Sequence, residues 1–565
     1  MVMTDTELDE GAAPGPPTTA EQVPVLPEVW PPGTDHKFIG SLFIAVALVF
    51  LVAGVALSLM MRTQLTTADA TAMGERTYRQ LFTMHGVMSV FLFLLPVWLG
   101  LASAVVPLQV GAARMAFPRL HGMALGLFVA GGAMVVAAPM ASDVFHGWTL
   151  SDPIPEKLGL PGRGPDLLLL GLALVCAAAI LVMINVIVTI LQLRAPGMTL
   201  RRIPMFSWSM LVSGAVLMLA LPVLIGAFGM LFVDRHYGAS LFSGFTGGRG
   251  GNPLVWPRLF WFGAYPMLWA LLIPALGAVS DIVATFAGRR LFSRPRAMAA
   301  MAAVGVLSFA GWGTEVTNLP RARPLFVVGG LAVLAPVASL VLNWLLTLRA
   351  AGTAAADRDE LRRGMARMPM LWALGLIPVL ALGLAGSVVS AVDAGRESHR
   401  NYWQVAQLHG LFFGAATIGA VAALSFWGPK LWGHRLSEAL GKLELLAVVG
   451  GTLLTVLGMF VLGVQDMAVH TATYTSSDDF AAGNLIVTVG AAIVGLGLLI
   501  VLLDLVVSVV ARRGDRAGAD PWGGQTLEWA TPSPPPRHNF DAMPEIRSDT
   551  PLLDLRSRLG PEGTG

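Results

Sequence analysis

Long apolar runs alternate along the chain with short polar connections. About 20 consecutive apolar residues cross a hydrocarbon core as one helix. Twelve runs approach or exceed that length, at 38–61, 84–107, 119–141, 166–193, 205–233, 258–286, 297–313, 325–348, 369–390, 404–427, 444–464 and 484–511. The pattern predicts an all-α, polytopic membrane protein with a membrane domain over 37–511. Residues 1–36 form an acidic, Pro-rich stretch without an apolar core, expected as a disordered tail and not a cleaved signal peptide. Residues 512–565 read as a second Pro-rich tail, extended along one face of the membrane. No internal repeat is evident.

Composition sharpens this picture. Hydrophobic residues fill 55% of 565 positions and charged residues only 13%, against about 25% charged in soluble domains. A net charge of +2, with 37 Lys and Arg in short clusters, argues against a nucleic-acid partner and for the lipid bilayer. Those clusters fall in alternate loops, as at Arg201–Arg202, Arg289–Arg290 and Arg362–Arg363. Because basic loops stay in the cytoplasm, both termini are expected there. The single cysteine, Cys176, lies in an apolar run, which excludes disulfides and a zinc or dicopper thiolate site within this chain.

Ionisable residues inside a bilayer are costly and mark function by default. Of ten histidines, only His85 and His409 sit within apolar runs; the rest fall in tails, loops or span ends. Spans two and ten run in the same direction, and each histidine lies about one turn past its start. The pair is therefore expected at one depth, facing across one pocket in the outer part of the membrane. Gly86 and Gly410 follow them, which predicts room for a flat macrocycle. Two imidazoles on opposite sides of an iron make a six-coordinate, low-spin haem; the competing reading is that each histidine only hydrogen-bonds between helices.

Longer motifs carry a resemblance. The stretches RQLFTMHGVMSVFLFLLPVWLG, PLQVGAARMAFPRL, LRAPGMTLRRIPMFSW, LFWFGAYP and DPWGGQTLEWATPSPPP resemble, in order, signatures of haem–copper oxidase subunit I, the core subunit of cytochrome c oxidase. The resemblance implies the twelve-helix arrangement of that family in a prokaryotic cytoplasmic membrane, with subunits of the II and III type as partners. It also implies His85 and His409 as ligands of the low-spin haem, and Arg62 as the arginine contacting the formyl group of haem A.

The same comparison finds the family's oxygen-reducing centre missing. The position of the high-spin haem ligand is Gln407; those of the copper histidines are Tyr265, Thr314 and Glu315; the proton-relay glutamate is Met267 and the crosslinked tyrosine is Trp269. Copper and a high-spin haem are expected absent. Arg114 and His121 replace acidic and amide residues at the mouth of a proton channel. The propionate-holding arginine pair is absent, with only His470 nearby. His399 keeps a magnesium-binding position, but Arg400 replaces the adjoining aspartate, so no magnesium is expected. Asp281 and Glu315 are expected to pair with basic groups.

The sequence thus favours a membrane haem protein of the aerobic respiratory chain, with one bis-histidine haem A and no oxygen-reducing centre of its own. An active terminal oxidase subunit, moving electrons from a donor to oxygen and pumping protons, is the second reading. A cofactor-free structural or assembly protein is the third.

Overall fold

The computed structural model describes residues 34–150, 160, 162–242, 251–315, 323–352, 355–392, 401–510, 512 and 514–559. Most of the expected N-terminal tail, together with His399 and Arg400, lies outside the described residues. The helices are α1 (His36–Leu65), α2 (Glu75–Val110), α3 (Pro118–Ala141), α4 (Gly164–Gln192), α5 (Met205–Tyr237), α6 (Val255–Phe286) and α7 (Arg294–Leu307). There follow α8 (Pro324–Ala351), α9 (Ala355–Met365), α10 (Met368–Val392), α11 (Tyr402–Trp432), α12 (Glu438–Val464), α13 (Ala481–Val509) and α14 (Pro551–Leu559).

Eleven of these are long and apolar enough to cross a membrane. The expected span at 297–313 accounts for the difference. Its helix, α7, has 14 residues and gives way at Ser308 to turns and a 3₁₀ turn at Trp312–Glu315. Gly311 and Gly313 interrupt the run there, and glycine disfavours helix.

Most sequential helices pack side by side, and α13 closes against α1. Burial separates two classes of helix. In α2 and α6, 94% of the most apolar window is buried and in α11 83%, against 22% in α1 and 17% in α8. Helices α2, α6 and α11 therefore form the interior, and their apolar surface meets protein on all sides. Small residues allow the close crossings expected inside lipid. At the crossing of α1 and α2, a Cβ on Gly40 would stand 2.6 Å from the Gly100 carbonyl.

The segment after α13 folds back against the bundle instead of running free. Leu527, Glu528 and Trp529, in a 3₁₀ turn, are buried. Trp522 Nε1 donates to Phe426 O at 2.9 Å, and Gln525 Nε2 to Ala284 O at 2.7 Å. Asn539 donates to Ala112 O at 2.7 Å.

Candidate functional site

A cavity of about 750 Å³ lies among α1, α2, α11, α12 and α13. On α12 its wall runs from Val448 to Met459, about 16 Å at the helical rise. Among its described lining residues Arg62 alone carries a fixed charge. The sequence places this cavity through α2 and α11, the buried helices that bear the histidines.

Each of those helices has the same local irregularity. A π-helical turn follows His85 at Met88–Leu94, and another contains His409 at Leu408–Gly414. Such wide turns inside α-helices cluster at functional sites because they re-aim side chains. The imidazoles of His85 and His409 both reach the cavity, with ring centroids 6.2 Å apart and planes 16° apart.

Hydrogen bonds fix both rings. His85 Nδ1 bonds Gly54 O of α1 at 2.9 Å, and His409 Nδ1 bonds Val405 O one turn back at 2.8 Å. A carbonyl can only accept, so each Nδ1 carries the hydrogen and each neutral ring keeps its lone pair on Nε2.

Arg62, near the end of α1, also lines the cavity and is 6% exposed. It donates to Asn484 Oδ1 and to the Tyr402 hydroxyl, both at 3.3 Å. Neither is a carboxylate, so the guanidinium charge is not neutralised by these partners. His470 lines the same cavity and meets Phe82 edge to face, with ring centroids 5.2 Å apart.

Gly86 lines the cavity, and both glycines beside the histidines also pack closely against protein. A Cβ on Gly86 would stand 2.6 Å from Trp148 Cβ, and one on Gly410 would be 3.3 Å from Gly383 Cα. The missing side chains make room for protein: Trp148 in one case, and α10 in the other.

Tyr265, Met267, Trp269, Gln407, Asp281 and His121 lie outside the described cavity lining. Met267 and Trp269 are fully buried, and Trp269 meets Phe412 edge to face at 5.1 Å. Tyr265 packs on Gly311, where a Cβ would be 2.7 Å from its ring. Gln407 lies beside Gly386. Thr314 and Glu315 stand in the 3₁₀ turn after α7. Asp281 does not obtain its hydrogen bonds from a basic side chain. Its carboxylate accepts from the backbone N–H groups of Met205 and Phe206 at 3.0 Å, capping α5, and from Gln109 Nε2 at 3.3 Å. Exposed helix-start amides satisfy an anion as well as a cation would. His121 is fully buried near Phe43.

Reasoning from the sequence missed Trp148, Tyr78 and Tyr402 as lining residues. Trp148 belongs to the connection between α3 and α4, where no periodicity signals burial. Tyr402 precedes His409 by seven residues, two helical turns, so the helix face shared with the histidine was the available signal.

Comparison with known proteins follows the same lines. The family model described as cytochrome c and quinol oxidase polypeptide I matches residues 38–493. The chain is 34% identical to the putative cytochrome c oxidase subunit 1-beta of Streptomyces coelicolor, over 93% of this chain and 90% of that one. It is 32% identical to quinol oxidase subunit 1 of Bacillus subtilis, over 93% and 80%. It is also 33% identical to the heme-copper oxidase subunit I+III of Aeropyrum pernix, over 93% and 63%.

Proposed function

The chain belongs to the cytochrome c and quinol oxidase polypeptide I family, and on that premise we propose that it is a respiratory-membrane haem protein holding one low-spin haem between His85 and His409. The observation that carries this reading is the pairing of the two rings. Two metal–nitrogen bonds of about 2 Å and two imidazole half-widths of about 1 Å give about 6 Å between ring centroids. The rings stand 6.2 Å apart, each with Nε2 as the nitrogen left to bind a metal. When bound, bis-histidine haem supplies one-electron transfer and leaves no open position for oxygen.

The chain's own residues have separable tasks in this reading. The carbonyls of Gly54 and Val405 hold the ring tautomers, the usual role of groups behind a metal ligand. Arg62 is the polar contact for the haem edge, consistent with a formyl group and hence with haem A. The cavity's length along α12, bounded by Val448 and Leu498 at one end, accommodates an apolar chain on the macrocycle. His470 and Arg62 are the groups available to oppose propionate charge.

We place no oxygen-reducing centre in this chain. Tyr265, Thr314, Glu315 and Gln407 offer oxygen and amide donors where copper and haem iron favour imidazole, while Met267 and Trp269 are packed as core. An electron relay, or a structural role, inside a complex with subunits of the II and III type fits this donor set. The second reading, a working terminal oxidase core, draws on relatives whose names describe oxidases over most of this chain's length.

A reduced-minus-oxidised spectrum of the purified protein, with haem and copper analysis, separates the two. One low-spin haem per chain, unmoved by carbon monoxide and without copper, is expected. Carbon monoxide binding together with stoichiometric copper would establish the oxidase reading instead.

A further inference from the structure

Far from the histidines, the ends of α2, α6 and α11 meet the C-terminal segment around two buried carboxyls. Gln109 on α2 ties them together. Its Oε1 accepts from both the backbone N–H and the hydroxyl of Ser207, at 3.1 and 2.7 Å. Because a backbone N–H can only donate, the orientation of the amide is fixed. Its Nε2 therefore faces Asp281 Oδ2 at 3.3 Å and Glu528 Oε1 at 3.0 Å. Gln109 and Glu528 are 0% exposed and Asp281 is 7% exposed.

The two carboxyls differ in what they receive. Asp281 accepts two backbone N–H bonds at the start of α5 besides that of Gln109, bonds that partly offset the cost of burying its charge. Glu528 Oε1 accepts from Gln109 and from Trp427 Nε1 at 2.9 Å. Its Oε2 is buried without a well-formed hydrogen bond among the described residues, and the Thr526 side chain and the backbone N–H of Glu528 interact with the carboxyl only more weakly. Charged groups on the adjoining elements have hydrogen-bond or ion-pair partners of their own, while Lys430 and Arg294 also lend positive potential to Glu528 and Asp281. Arg294 at the start of α7 pairs with Asp549 at 3.5 Å, Asp520 pairs with Arg556 at 3.1 Å, and Lys430 on α11 gives its ammonium to backbone carbonyls.

Two anions sharing one amide donor in a buried site are strongly disfavoured, so one of them keeps a proton. We propose that Glu528 binds a proton on Oε2 at neutral pH, and that this proton latches the C-terminal segment onto the ends of α2, α6 and α11. The reaction moves one proton from solvent to the carboxylate and breaks no other bond. Burial raises the Glu528 carboxyl above the ordinary carboxylate range, with the bonds from Gln109 and Trp427 opposing.

The sign follows from linkage. Docking raises the affinity of Glu528 for a proton, so docking is favoured below the raised value and weakens as pH rises through it. The undocked population grows about tenfold per pH unit between the ordinary carboxylate value and the raised one, and levels off above it. Glu528→Gln keeps the shape and fixes the neutral form, which makes it the reference.

Hydrogen exchange of the amides at Leu527–Ala530 tests the proposal on the full-length protein in detergent or nanodiscs. The wild-type rate divided by the Glu528→Gln rate cancels intrinsic pH effects, and should rise with pH by up to that tenfold per unit. Infrared spectra should show a protonated-carboxyl band, sensitive to deuterium, that is lost from the wild-type spectrum in Glu528→Gln. A flat ratio between about pH 6 and 9, or an unchanged band in the variant, would overturn the proposal. Neither readout depends on haem.

Discussion

His85 and His409 present parallel imidazoles from two different buried helices, 6.2 Å between centroids and 16° between planes, each anchored through Nδ1 to a backbone carbonyl. The arrangement leaves an Nε2 lone pair on each ring, which in the proposed function would hold one metal between them.

His409→Ala should therefore abolish the low-spin haem while leaving the protein inserted, because the ring's loss opens a cavity already present and cuts only one intrahelical bond. Pyridine haemochrome assay beside gel filtration measures both properties. Haem retained at one per chain in a monodisperse His409→Ala sample would remove this ligand from the assignment. His85→Ala is expected to behave alike.

The helical framework was largely legible in the sequence because lipid imposes a length and a polarity on every span. The exception is informative: the run at 297–313 looked continuous, yet Ser308 to Gly313 leave the helix. The depth argument for His85 and His409 needed only span direction, so it found two residues that the fold does bring together. The π turns at Met88–Leu94 and Leu408–Gly414 leave no trace in hydropathy, since both stretches lie inside longer apolar runs. The contact of Gly86 with Trp148 was hidden for a related reason. A missing side chain signals close approach, but not of what, and Trp148 lies 62 residues away in a loop. The tail misled through composition. Its Pro and polar residues read as exposed, while Leu527, Trp529, Phe540, Ile546 and Leu552, at irregular spacing, are the positions that bury it.

Arg62 supports a spectral prediction. Buried, and bonded to Asn484 and Tyr402 rather than to a carboxylate, it adds positive potential to the cavity. Arg62→Met should keep both histidine ligands and so retain haem. The reduced haem band should move to shorter wavelength, because a hydrogen bond to a conjugated formyl group extends the chromophore. The midpoint potential should fall by on the order of 50 mV, since removal of a nearby cation favours the oxidised form. Redox titration monitored optically gives both values. An unshifted band with a lowered potential would assign Arg62 an electrostatic role alone, away from any formyl group.

Lys430 predicts how firmly the C-terminal segment is held. The side chain is 0% exposed, and its ammonium donates to the carbonyls of Ala519 at 2.6 Å, Thr531 at 2.5 Å and Pro532 at 3.4 Å, and lies 5.3 Å from the Trp529 ring centre. Lys430→Met preserves the apolar stem and removes every donor. A buried acceptor left without its partner costs about 1–3 kcal/mol, and the two shorter bonds place the loss at about 2–6 kcal/mol. Because α11 is held by α6, α10 and α12 as well, that loss should fall on the segment and not on the bundle. Limited proteolysis should cut the variant between residues 514 and 540 at least tenfold faster than wild type, with the helical signal and the thermal midpoint of the membrane domain little changed. Equal cleavage rates would mean that the contacts of Trp522, Gln525 and Asn539 hold the segment without Lys430, and that its three carbonyl bonds do no more than replace water.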